Sequence, residues 1–154
     1  MKKSIRLILT SLFIISLFTG MLVAYAETRN EASAREAFRD LPGSHGFSLS
    51  MAYGGDHDVG TAFVKIEAVH NAFFYLTTLN NTTGQYAYLN MRSSDGQTIV
   101  GIQKGLHPSL TAPYSTTVDY KTGHGNTTVS YSPSGQSSSL SIVGSVFIAG
   151  FWIP

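Results

Sequence analysis

Asp56-His57-Asp58, set inside Gly54-Gly55-Asp56-His57-Asp58-Val59-Gly60, is the densest cluster of ligand-type side chains in this 154-residue sequence. Two carboxylates and an imidazole could hold Ca²⁺ or a transition metal if other loops added oxygens. Adjacent residues rarely all point at one ion, and glycine and aspartate are also what a tight loop selects on backbone grounds. A solvated turn is therefore the first expectation for these residues, and a metal site the second. Paired acids of glycosidase type would have to come from Asp56, Asp58, Glu67, Asp95 or Asp119, a short list. There is no cysteine, which excludes thiol catalysis and Cys-ligated zinc. The sequence holds no Gly-x-Ser-x-Gly elbow, no Ser-x-x-Lys pair and no His-Glu-x-x-His, so no catalytic residue is assigned and no cofactor is expected.

Aromatic side chains are the more suggestive candidates. Tyr86, Tyr88, Tyr120, Tyr131 and Trp152 lie on strand-like segments, where an aromatic face with a polar edge can stack on a sugar or a peptide. The alternative is that the rings fill a core and the tyrosine hydroxyls reach water. The stretch 109–145 is rich in serine and threonine that alternate in part with Val, Tyr, Leu and Ile. Such amphipathic hairpins are similar to the inserting segments of β-pore-forming toxins, although serine and threonine also suit the wet face of an ordinary sheet.

These residues need a scaffold, and the first 26 residues do not belong to it. Lys2, Lys3 and Arg6 precede an apolar run at 7–23, and Ala24-Tyr25-Ala26 supplies an A-x-A site, so 1–26 reads as a secretory signal peptide cleaved between Ala26 and Glu27. The apolar run falls short of the ~20 residues of a spanning helix, which disfavours an uncleaved anchor. Losing Lys2, Lys3 and Arg6 leaves seven basic residues against nine acidic ones, so the precursor's charge of +1 becomes −2. A chain of that balance offers no nucleic-acid footprint and no polybasic patch for anionic lipid.

What remains is long enough for one domain with a real core. Charges crowd residues 27–40, with Ala34, Ala37, Phe38 and Leu41 at helical spacing before Pro42-Gly43, which predicts a short helix or flexible segment over 27–43. From Phe47 the apolar period becomes two, and residues 44–154 predict about seven to eight short strands separated by turn signals. Expected strands cover 47–53, 61–69, 72–78, 86–94, 97–102, 116–121, 127–132 and a C-terminal apolar stretch broken by Gly144 and Gly150. Asp95-Gly96 predicts a two-residue type I′ hairpin. The fold class is all-β, an antiparallel sandwich or small barrel.

A Lys-Lys signal, absence of cysteine, Tyr/Ser/Thr-rich strands and the ending Gly150-Phe151-Trp152 make the chain similar to small exported all-β proteins of Gram-positive bacteria. It also resembles lactococcin-type bacteriocins in texture, with no diagnostic motif. The resemblance implies a secreted protein, free or held at the cell envelope. The leading expectation is a non-enzymatic binding protein whose partner is cell-wall glycan, a protein or the membrane of another cell. The second is a membrane-active, bacteriocin-like factor, and the third a hydrolase.

Overall fold

The computed structural model describes residues 31–65, 69–125 and 129–154. The expected signal peptide and its cleavage point at Ala26 and Glu27 lie outside the described residues, as does Glu67. The chain divides into two compact units, Met1–Glu36 and Ala37–Pro154. Of the first, residues 31–36 are described, helical and exposed; the helical run α1 continues to residue 39. In the second unit Phe38 stacks on Tyr75 with ring centroids 5.5 Å apart, which anchors a helix end for which the sequence left docking through Phe38 and fraying both open. Leu41 N–H then donates to the Phe38 carbonyl, and Gly43 takes φ +75°, a left-handed conformation that glycine adopts without steric cost.

Nine strands follow among the described residues. They are β1 (His45–Met51), β2 (His57–Val59), β3 (Phe63–Val64), β4 (Asn71–Asn81), β5 (Ala87–Ser93), β6 (Lys104–Leu106), β7 (Tyr114–Asp119), β8 (Ser130–Ser137) and β9 (Val146–Ile153). All pair antiparallel, as two sheets: β1-β9-β4-β7, and β2-β8-β5-β6 with β3 also on β8. The architecture is the expected all-β sandwich. Its core comes from the period-two pattern: Phe47, Leu49 and Met51 are buried while Gly46, Ser48 and Ser50 are exposed. Phe74 stacks on Trp152 and meets Phe47 edge-on in the middle of that core.

Four local expectations are corrected. Residues 61–69 do not form one strand, and the supposed turn at Asp56-His57-Asp58 contains β2 instead. The cause lies in β8, where Pro133 has no N–H to return to Gly60, although Gly60 N–H donates to the Pro133 carbonyl. Register against β8 slips by one residue there, between Val59↔Ser134 and Phe63↔Tyr131, and the partner strand divides into β2 and β3. A Cβ at Gly60 would sit 2.9 Å from the Pro133 ring.

The Asp95-Gly96 turn is not type I′, because Gly96 has φ +73° but no described non-glycine residue has positive φ. Asp95 instead accepts from the Ser93 hydroxyl and the Gln97 N–H, while Ser93 N–H reaches Thr98 O and closes a longer loop. Those two hydrogen bonds hold the Asp95 carboxyl below the usual carboxylate range. Finally, Gly150 does not break the last strand. β9 runs through it, and a Cβ there would lie 2.0 Å from the Tyr75 carbonyl oxygen, so only glycine allows β4 to bulge at Thr77.

Candidate functional site at the open seam

A sandwich has two seams where edge strands of its sheets face each other. At one of them the chain supplies its own filler. After the Asp95 loop, Val100 and Gly101 N–H groups donate to the Met91 carbonyl at the end of β5. Ile102 N–H donates to Asp119 O, and Lys121 N–H returns to Val100 O, so the same segment also bonds to β7 and the residues after it. Extended main chain thus joins both sheets. Gly101 makes this fit possible, since a Cβ there would meet Asn90 Oδ1 at 2.8 Å and Val118 at 3.0 Å.

At the other seam, β1 faces β2 with a gap between them. Asp58 spans one end, its Oδ2 accepting from Ser50 N–H at 2.7 Å and its Oδ1 from Val59 N–H at 2.8 Å. Asp56 Oδ2 accepts from Ala52 N–H one step further on. Both carboxylates therefore cap backbone donors along an edge strand that would otherwise offer them to another chain. At the far end His45 stacks on Phe63, centroids 3.8 Å apart and rings within 7° of parallel. Burial lowers the His45 pKa, so the neutral imidazole is favoured in that stack. Between the two bridges lies a groove of about 450 Å³ lined by Gly46, Phe47, Ser48, Asp58, Val59, Gly60 and Thr61.

The sequence candidates fall in three places. Asp56, His57 and Asp58 lie at the groove end, but among the described residues no three metal-ligating side chains come together. Tyr86 and Tyr88 form a near-parallel pair on the outer face of the five-stranded sheet, centroids 6.5 Å apart, with His107 edge-on to Tyr86. Gln103 and Gln136, hydrogen-bonded to each other, lie on that sheet, with Gln136 directly opposite Tyr88. Tyr120, Tyr131 and Trp152 are buried instead. All three belong to the core, where Tyr120 and Tyr131 contact each other beside a buried lysine.

That lysine, Lys65, was not singled out from the sequence. Its ammonium lies 4.1 Å from the Tyr120 ring centroid and donates to the Val69 and Gly125 carbonyls, tying two loops together. Burial lowers its pKa and raises that of the Tyr120 phenol. A charged residue inside the apolar run Ala62-Phe63-Val64-Lys65-Ile66 was the available signal. The groove had a fainter one, because Gly46, Ser48 and Gly60 carry no chemistry of their own and matter only through backbone placement.

One more surface feature is prominent. Leu140, Ile142 and Val143 are 77%, 82% and 67% exposed on the loop between β8 and β9, and Tyr53 is 61% exposed. The loop is held by its own hydrogen bonds, Ser141 N–H to Ser138 O and Ser141 Oγ to Val143 O. A Cβ on Gly54, next to Tyr53, would lie 3.9 Å from Ser141 O, which places the two segments side by side. No protein-family model matches the chain, and no curated protein or solved structure is significantly similar to it.

Proposed function

We propose that this chain is an extracellular, non-enzymatic binding protein of the cell envelope that takes its ligand in the groove between β1 and β2. The observation carrying this reading is the open seam itself, a polar groove between two sheet edges, bridged at both ends and unfilled in the middle. Preformed concave sites with a few placed polar groups are where proteins bind ligands. Asp58 and the backbone of Gly46 and Ser48 supply the polar groups, and Phe47 and Val59 the apolar ones. The test is retention of the purified protein on isolated cell wall at physiological salt. Retention lost on filling the groove by Thr61→Trp, with the fold verified by circular dichroism, is the expected result. A wild-type protein that washes through, or a variant that is fully retained, overturns the reading.

A second reading, membrane contact, is favoured by Leu140, Ile142 and Val143 standing out from a loop whose backbone is partly satisfied internally. Its test is dye release from liposomes, which should fall when Leu140 and Ile142 are replaced by serine. No release by the wild-type protein across zwitterionic and anionic lipids removes it.

A further inference from the structure

The closed seam shows what chemistry fills a gap between these two sheets: a short piece of extended main chain bonded to both. Residues 99–102 do this with donors to Met91 O and Asp119 O and an acceptor for Lys121 N–H. The open seam offers the same chemistry without the filler. Ser50 N–H points to Asp58 and away from β9, and β1 pairs with β9 without a register shift over His45–Met51. Antiparallel pairing alternates, so the N–H and C=O groups of Gly46 and Ser48 also point away from β9, into the groove. On the opposite wall, Gly60 N–H to Pro133 O and Ser137 N–H to Asp56 O set the phase of the β2 ladder. In that phase the Val59 carbonyl points away from β8, towards the same gap.

We infer that the groove binds an extended peptide segment by strand addition to β1, its main chain pairing with Gly46 and Ser48 as residues 99–102 pair with β5 and β7. This rests on the groove being the ligand site. Asp58 and Asp56 fix its extent, because they already occupy the donors of Ser50 and Ala52, while His45 on Phe63 closes the other end. The free edge between these stops spans about three residues, or ~10 Å of strand. Affinity comes from backbone groups, so the site tolerates many side chains. Its floor, Phe47 and Val59, favours an apolar residue on the inward side of the bound segment.

Ser48→Pro is the discriminating variant, since it removes one of the two N–H groups aimed into the groove and takes no bond from the β1–β9 ladder. The probe is a pool of random-sequence hexapeptides coupled to resin, with a second pool N-methylated at alternate amides. Wild-type protein should be retained on the first pool and at least tenfold less on the second, and Ser48→Pro should lose retention by a similar factor. Amide dispersion by NMR checks that the variant is folded; if it is not, the methylated pool alone decides. Equal retention on both pools, no retention of wild type on either, or full retention of folded Ser48→Pro overturns the inference. So does a concentration-dependent dimer abolished by Ser48→Pro, which would mean that a second copy occupies the edge. Cell-wall retention that survives Ser48→Pro but not Thr61→Trp would overturn strand addition and leave the groove as the binding site.

Discussion

The two seams of the sandwich solve one problem in different ways. Between β5 and β7, residues 99–102 run as a bridging strand, and backbone hydrogen bonds join the sheets. Between β1 and β2 the bridge is made by side chains, two aspartates at one end and a His45-Phe63 stack at the other. A backbone bridge fills the gap and uses up the edge groups. A side-chain bridge protects only the donors it reaches, here Ser50 and Ala52, and leaves Gly46 and Ser48 open. The lesson is that an edge strand can be blocked and exposed within one length of seven residues.

Breaking the closed seam should cost the most. Gly101→Val would drive a side chain into Asn90, Met91 and Val118, and overpacking of this kind should lower stability by about 3 kcal/mol in urea unfolding. Asp58→Ala at the open seam releases the Ser50 and Val59 donors to water, and a loss of about 1.5 kcal/mol is expected in the same assay. Acid should act on the open seam through His45. Its native pKa is below the ordinary value near 6.5, so the unfolded chain takes up a proton that the folded one does not. Stability should therefore fall as pH drops from about 6.5 towards the lower native value, and His45→Phe should flatten that slope. The smallest effect belongs to Gly46→Ala, whose Cβ would meet only Gly150 O at 4.0 Å, with a change within about 0.5 kcal/mol.

The sequence made the sandwich legible because its inward positions alternate cleanly, as in Phe47, Leu49 and Met51 or Val146, Ile148, Gly150 and Trp152. Tyr86 and Tyr88 were named in one group with Tyr120, Tyr131 and Trp152, and only the fold separates the outward pair from the three buried rings. What the sequence hid were effects set by the neighbouring strand. Pro133 divides β2 from β3 across a sheet, and no local pattern around residue 60 announces that. Asp56 and Asp58 drew attention as metal ligands, yet their oxygens serve backbone donors on β1. Carboxylates in a glycine-rich stretch read alike whether they face an ion or an edge strand. The groove was illegible for a deeper reason, since its polar groups are main-chain atoms that every residue carries.

Amide hydrogen exchange measured by NMR on the free protein tests the difference between the seams most directly. Gly46 and Ser48 should exchange at nearly unprotected rates, while Gly101, Ile102 and Lys121 exchange slowly, with Ser50 and Ala52 between them. Protection of Gly46 and Ser48 equal to that of Ile102 would contradict the account, because the open seam would then already be filled.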